Sequence, residues 1–371
     1  MNGEDRGGIN VTGRKTESNG RELNYLEWLS AHTPTKWWHD SAIPDEIERG
    51  LSMGALGITT NPVLTYKTFN ACPDYWRDRV AAVPDELDFA ARAEEMLRIV
   101  ATDAASRVHG VFERTGGAHG YAFGQLNPTL AADFEGMLEM GRRVRTWAPN
   151  VAVKLPTTKA GVEVIEELAA LGVPLCATLN FSVAQAVAVS EAYERGANRA
   201  AAAGIEVRPC FAVQQLGRFD DYLRDVNKDL RAGLDESDIA QAGLAITKRS
   251  YQLAKERGYR AVIMPAGLRE VYHLTELAGA EMAFSLHPRI QQMVLDADPP
   301  RVERIEEPVD PDTLERLMRV TEFRRAYLED GLAPEEFFTF GVTQKTLSQF
   351  VETGWAMLEV YGSNKMSTRW T

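Results

Sequence analysis

From residue 35 onward, short apolar runs alternate with longer amphipathic stretches. Residues 35–38 form a β-prone run ending in His39-Asp40, and residues 44–54 follow with the spacing of a short helix. A second apolar run, 56–59, closes in Thr60-Asn61-Pro62. Between 86 and 110 the positions of Leu87, Phe89, Ala90, Met96, Leu97 and Val100 recur at helical spacing, which predicts a helix there. Residues 121–126 read as a strand closed by Asn127-Pro128, and 129–147 as an amphipathic helix through Leu130, Phe134, Leu138, Met140 and Val144. The pattern continues with a strand at 151–155, a helix at 161–171 stopped by Gly172, and a strand at 174–179. Ser182 then caps a long helix running to about residue 203. A strand at 207–213, a helix from Phe219, a helix at 239–257 ended by Gly258, a strand at 261–264, a helix at 268–278 stopped by Gly279 and a last strand at 283–286 complete the series.

Repeated strand-then-helix units imply parallel strands joined by right-handed crossovers. Eight such runs predict an α/β chain folded as a (β/α)8 TIM barrel. The rival, an open doubly wound sheet, needs a glycine-rich phosphate fingerprint after its first strand, and Trp37-Trp38-His39-Asp40-Ser41-Ala42 contains none. The expected organisation is a flexible N-terminal segment and lead-in over 1–30, the barrel over 31–300, and a C-terminal helical extension over 301–371 packed on it, with helices near 310–330 and 343–361.

Charge narrows the partners. The net charge is −12, from 41 basic and 53 acidic side chains, so the surface repels phosphate backbones and nucleic acid is not an expected partner. No apolar run approaches the roughly 20 residues needed to cross a bilayer, so no membrane is expected either. Residues 1–19 are polar and glycine-rich with no apolar signal core, which reads as a disordered leader and points to the cytoplasm. Cys72, Cys176 and Cys210 are widely spaced with no CxxC pair, against a disulfide framework. His39 and His287 form no metal spacing with a neighbouring His or Cys; neither metal nor cofactor is expected.

In barrels of this kind chemistry sits at the carboxyl ends of the strands. Those ends offer Asp40, Asn61, Gln125, Asn127, Lys154, Thr178, Asn180, Gln214, Gln215, Arg218, Arg269, Ser285 and His287. Lys154 stands out, because it lies in the apolar run Val151-Ala152-Val153-Lys154-Leu155-Pro156. Burial disfavours an ammonium and favours a neutral, nucleophilic amine. The blander alternatives are a solvated lysine at a strand end and an internal ion pair with Asp40. Asp40 can shuttle protons or cap the helix starting near Ser41. Arg218 and Arg269, after adjacent strands, match a phosphate clamp; taken singly, each reads as a surface helix-start residue. Asn61 precedes a proline and can simply cap that turn. His39 points to the face opposite Asp40, where packing is its expected role. Cys176 and Cys210 read as small buried strand residues.

Assembled, these residues resemble the transaldolase family of class I aldolases. Gly57-Ile58-Thr59-Thr60-Asn61-Pro62 resembles its G-[IV]-T-T-N-P signature. Val153-Lys154-Leu155-Pro156-Thr157-Thr158-Lys159-Ala160-Gly161 resembles its K-[IL]-P-x-T-x-x-G segment. Thr178-Leu179-Asn180-Phe181-Ser182-Val183-Ala184-Gln185-Ala186 resembles T-x-x-F-S-x-x-Q-A, and residues 264–279 resemble the A-S-x-R…L-A-G segment. Order and spacing agree from about residue 35 to 295, and residues 334–362 resemble the tail of longer members. The resemblance implies a Schiff base between Lys154 and a ketose, in all expectation phosphorylated. It gives proton transfer to Asp40, a water positioned by Thr178 and Gln125, and donor hydroxyls held by Asn61. Arg218 and Arg269 would take phosphate, and Asn127, Asn180, Gln215 and Ser285 would complete the substrate pocket. The implied partner is a small sugar phosphate, with homo-oligomers known among relatives; the C-terminal helices could cover a face of the barrel or mediate assembly.

Four positions depart from the family pattern. Gln125 replaces a glutamate, and an amide orients water but takes no proton from it; a similar exchange marks the fructose-6-phosphate aldolase branch, which cleaves directly instead of transferring. Gln215 replaces an aromatic, Gly267 a serine, and Cys176 an asparagine. Alternatives to a transaldolase are therefore a direct-cleaving aldolase, a deoxyribose-phosphate-type lyase and a non-catalytic sugar-phosphate-binding barrel.

Overall fold

A computed structural model of the chain describes residues 17–18 and 21–363. Most of the polar leader expected over 1–19 lies outside the described residues. The lead-in ends in a helix, Tyr25–His32, opened by a reciprocal cap in which Asn24 accepts from the Glu27 N–H and Glu27 accepts from the Asn24 N–H. It forms because Tyr25, Leu26, Trp28 and Leu29 have an apolar surface to bury.

The barrel strands are β1 (Lys36–His39), β2 (a single-residue bridge at Ile58), β3 (Ala122–Gln125), β4 (Val151–Pro156), β5 (Leu175–Asn180), β6 (Cys210–Gln214), β7 (Val262–Pro265) and β8 (Ala283–Leu286). β8 pairs with β1 and β3 through β7 pair in succession, all in parallel. Ile58 joins the two sheets, bridging His39 on one side and Ala122 on the other. Backbone bonds from Leu56 N to Trp37 O (2.9 Å) and Ile58 N to Tyr121 O (2.9 Å) hold it there. β7 and β8 lie side by side and complete the ring. The chain is a (β/α)8 barrel.

Strand period two sorts the side chains. The outward face (Trp37, Ala122, Val153, Leu155, Leu175, Ala177, Ile263, Phe284, Leu286) packs against the helices. The inward face forms a separate cluster of Trp38, Tyr121, Phe123, Ala152, Cys176, Phe211, Val213, Met264 and Ala283. Trp38 is its centre, with ring centroids 5.1 Å from Phe123 and 4.6 Å from Phe211. Alanine and cysteine at 152, 176 and 283 leave room for these rings. Burying a ring of phenylalanine size contributes roughly 1.5–3 kcal/mol, so this plug is a substantial share of the barrel's stability.

Four helices were not anticipated from periodicity: Tyr25–His32, Pro288–Ala297, Pro62–Ala71 and Pro73–Ala81. The last two start at prolines placed at N1, where the missing N–H costs nothing. The helix expected over 268–278 contracts to Tyr272–Thr275. Beyond the barrel, Pro311–Met318, Thr321–Tyr327 and Gly341–Phe350 bury Leu317, Phe323, Phe340 and Phe350 in one cluster with Leu179, Phe181, Phe219 and Ile239 of the barrel. The C-terminal helices thus share a core with the barrel's outer layer.

Gly57 lies against the Trp38 indole: a Cβ there would fall 2.4 Å from Trp38 Cδ2. Gly57→Ala is expected to destabilise the fold by about 1–3 kcal/mol through overpacking, read as a lower urea midpoint with an unchanged m-value.

Candidate active site

The inward positions one step above the aromatic plug are polar. Gln125, Lys154 and Thr178 follow Phe123, Ala152 and Cys176 at period two on β3, β4 and β5, and Gln215 and Ser285 follow Val213 and Ala283. Lys154, Gln215 and Ser285 line a cavity of about 340 Å³ at the carboxyl ends of the strands, with Gln125 and Thr178 buried against them. Asp40, Asn61, Lys154, Gln215, Arg218, Arg269 and Ser285 line it.

Lys154 is 6% exposed. Its Nζ donates to Thr60 O at 3.2 Å and lies 5.5 Å from the Phe123 ring centroid. Neither bland alternative holds: the amine is buried, and it makes no ion pair among the described residues, with Asp40 or any other carboxylate. Asp40 does not cap the following helix, which starts at Pro44 with Ile43 at the N-cap and no side-chain cap bond. Its Oδ1 instead accepts from Thr59 Oγ1 at 2.6 Å. That bond uses Thr59's one hydroxyl proton, so Ser285 Oγ, 2.7 Å away, donates to Thr59. Ser285 and Thr59 therefore hold the carboxylate over the cavity that Lys154 enters.

Asn61 does cap: its Oδ1 accepts from Leu64 N at 2.9 Å. The cap leaves its amide N–H groups to donate into the cavity. Gln215 Nε2 donates to Thr178 Oγ1 at 3.2 Å. Gln125 Oε1, Gln215 Oε1 and both side-chain polar atoms of Asn180 are buried without a protein partner. Buried polar atoms require partners; Gln215 lines the cavity, so its Oε1 is suited to water or a substrate hydroxyl.

The β5 end is bent to reach this arrangement. Its register with β6 shifts between Ala177 and Asn180, and Leu179 adopts φ 57°. Gln185 secures the bend: Nε2 donates to Thr157 O (2.9 Å) and Leu179 O (3.0 Å), while Oε1 accepts from Phe181 N (2.9 Å). Ser182 caps the helix Val183–Ala202 by accepting from Gln185 N at 3.1 Å. Gly161 has a parallel role, since a Cβ there would fall 1.9 Å from Pro156 O at the end of β4.

Lys67, Arg218, Arg269 and Arg289 also line the cavity and give it a cationic component. Arg269 is already engaged: Nε and Nη2 reach Asp221 Oδ2 at 2.9 and 2.7 Å, and Nη1 donates to Gly267 O. Arg218 has no carboxylate within ion-pair distance among the described residues; Nη1 donates to Gln349 Oε1 at 2.6 Å. Burial, and then the like charge of Arg269, pull its pKa below the ordinary value, though a guanidinium stays charged. Behind them lies a pair periodicity did not reveal. His273 Nδ1 accepts from Arg269 N (3.0 Å), its Nε2 lies 3.1 Å from Asp220 Oδ2, and Asp220 Oδ1 accepts from Gly243 N (2.7 Å). Burial raises the Asp220 pKa, with His273 opposing. The pair ties the loop after β7 to the helix after β6 and so sets the spacing of the two arginines.

Not every expected site residue reaches the cavity. Asn127 Oδ1 accepts from Thr129 N and Oγ1, and the residue lines a separate groove with Met140, Trp147 and Trp355. Asn180, Gln125 and Thr178 are buried outside the lining, the last two against the lining residues Lys154 and Gln215. Thr59, Lys67, Arg289, Gln349 and Phe350 belong to the site and were not singled out beforehand. Thr59 was legible within its signature; Gln349 and Phe350 lie too far along the chain for strand-end reasoning to find. Among the described residues no group of three His, Cys, Asp or Glu could hold a metal, and no helix is long and apolar enough to cross a membrane.

A parallel eight-membered barrel with a buried lysine and a carboxylate in one polar cavity defines a strand-end site of the α/β-barrel class. Residues 37–338 match the family model described as Transaldolase/Fructose-6-phosphate aldolase, and the chain belongs to that family. It is similar to the transaldolase of Thiobacillus denitrificans (36% identity over 209 residues, 54% of this chain and 56% of the relative). It is likewise similar to that of Neisseria gonorrhoeae (30% over 210 residues, 56% and 58%) and to transaldolase 1 of Streptomyces avermitilis (31% over 230 residues, 57% and 58%). The chain thus spans a little over half the length of these curated relatives.

His39, beside Asp40, faces outward as expected and is 1% exposed. Its Nδ1 lies 2.9 Å from Gln291 Nε2. Burial lowers its pKa from 6.5 to about 4, against the opposing pull of Asp40 and Glu46. Between those values the unfolded chain binds the proton and the folded chain does not, so stability rises with pH across that window and is complete above 6.5. Relative to His39→Gln, the wild-type chain is expected to lose about 3 kcal/mol more on acidification from pH 6.5 to 4, measured by denaturant unfolding at each pH.

Proposed function

We propose that the chain is a transaldolase-type class I aldolase that makes and breaks a carbon–carbon bond of a ketose, probed best as the phosphate ester, through a Schiff base on Lys154. The observation that carries this reading is the buried Lys154, without an ion pair among the described residues, entering the same cavity as Asp40. In the cleavage direction, Lys154 Nζ attacks the ketose C2 carbonyl, and the carbinolamine loses water to give an iminium. Asp40 takes the proton of the C4 hydroxyl, the C3–C4 bond breaks, and its electron pair passes into the iminium to leave an enamine and a free aldehyde. Attack of the enamine on an acceptor aldehyde, with return of the proton by Asp40, completes a transfer; protonation and hydrolysis release dihydroxyacetone instead. Asn61 donates to donor hydroxyls through the amide its cap bond leaves free, and Arg218 with Arg269 receives the anionic end.

Gln125 favours direct cleavage as the second reading. It pairs in register with Lys154, and its Oε1 has no partner among the described residues, so it can orient a water while leaving general-base work to another group. Product analysis separates the two: release of free dihydroxyacetone without an acceptor aldehyde marks direct cleavage, and dependence on the acceptor marks transfer. A cytoplasmic location accords with three unpaired cysteines.

Borohydride reduction in the presence of ketoses is expected to add the reduced sugar to Lys154, with no adduct in Lys154→Arg. Asp40→Asn is expected to keep the adduct while kcat falls about 10²–10⁴-fold. Mass spectrometry showing an unmodified Lys154 across a panel of free and phosphorylated ketoses would sink the reading.

A further inference from the structure

The C-terminal helix Gly341–Phe350 brings Gln349 and Phe350 to the cavity beside Arg218. Their placement is secured on both sides. Before them, Val342 and Leu347 pack in the cluster shared with Leu179 and Phe219. After them, the chain makes a π-turn, Val351–Trp355. Within it Gly354 abuts the signature loop, so that a Cβ would fall 2.8 Å from Pro62 Cβ and 2.9 Å from Val63 N. Trp355 Nε1 then donates to Glu359 Oε1 at 2.8 Å.

The two residues treat Arg218 in complementary ways. Gln349 Oε1 accepts its Nη1–H at 2.6 Å, and the Phe350 ring centroid lies 5.5 Å from its Cζ. An amide oxygen orients a guanidinium without neutralising it, and an aromatic face shields one side from water. The contrast with Arg269, whose charge is matched by Asp221, is direct. The two guanidinium groups therefore differ in function: one is held and compensated, the other held and left charged.

We propose that Gln349 is a specificity-determining residue, a neutral rim partner that keeps the Arg218 charge available for a substrate carrying an anionic terminus. The proposal deepens the aldolase reading by assigning its substrate preference to the C-terminal extension. It predicts that a carboxylate at this position would form an internal ion pair with Arg218 and compete with the ligand, while a truncated side chain would leave the charge free.

The test compares wild type, Gln349→Glu and Gln349→Ala, each first shown by thermal unfolding to be folded. Inorganic phosphate, titrated by calorimetry, reads the anion site without turnover. Gln349→Glu is expected to raise its Kd about tenfold, in the range set by one charge-assisted contact, and Gln349→Ala to change it by no more than about threefold. With substrates, the ratio of kcat/KM for fructose 6-phosphate over fructose is expected to fall about tenfold in Gln349→Glu, as expected for a lost anionic contact. Phosphate that binds wild type and Gln349→Glu equally, or does not bind wild type, overturns the inference, as does an unchanged substrate ratio. A weakened phosphate site with no borohydride adduct on wild type overturns the aldolase reading and leaves the anion-site inference standing.

Discussion

Trp38 sets the depth of the site. The indole fills the barrel's lower interior against Phe123 and Phe211, and because inward positions recur every second residue, the next ring of side chains is the last before solvent. That ring is where Gln125, Lys154 and Thr178 stand. A dry aromatic layer below and a mouth above confine the polar groups to one level, so that an amine, a carboxylate and several amides meet without any long-range arrangement of loops. Thr59 and Ser285 then orient the carboxylate by a relay of two hydroxyls.

Much of the family signature turns out to be backbone engineering. Gly57 makes room for Trp38, and Gly161 for the Pro156 carbonyl. Gln185 is not part of the cavity lining, yet it satisfies two carbonyls and one N–H around the β5 bend. Removing it would leave those groups buried and unpaired, at about 1–3 kcal/mol for each such group. Side chains that line the cavity are the minority within these segments. Of the positions read as departures from the family pattern, Cys176 and Gln215 face the interior, whereas Gly267 adopts φ 66° and its carbonyl accepts from Arg269 Nη1.

The barrel was readable because its strands are short, apolar and separated by amphipathic helices. β2, read as a run over 56–59, forms its bridges at Ile58, and backbone bonds from Leu56 N to Trp37 O, His39 N to Gly57 O and Thr59 N to His39 O carry the pairing along the run. The helices at Pro62–Ala71 and Pro73–Ala81 escaped because they follow prolines closely and carry weak amphipathicity. In the site, strand-end logic found Asp40, Lys154, Arg218 and Arg269, all of which line the cavity. It misplaced Asn127, whose amide is consumed by a local turn with Thr129, and could not see Gln349 or the His273–Asp220 pair, which come from distant segments brought together only by packing.

The left-handed backbone at Leu179 has a consequence for redesign. The bend that aims Thr178 and Asn180 inward also turns Leu179 outward, into the apolar cluster of the C-terminal helices. Pocket geometry and attachment of the tail are therefore two ends of one lever. Directed-evolution libraries that vary 178 or 180 will select for tail docking at the same time, whereas a library at 215 varies the cavity lining from the β6 side.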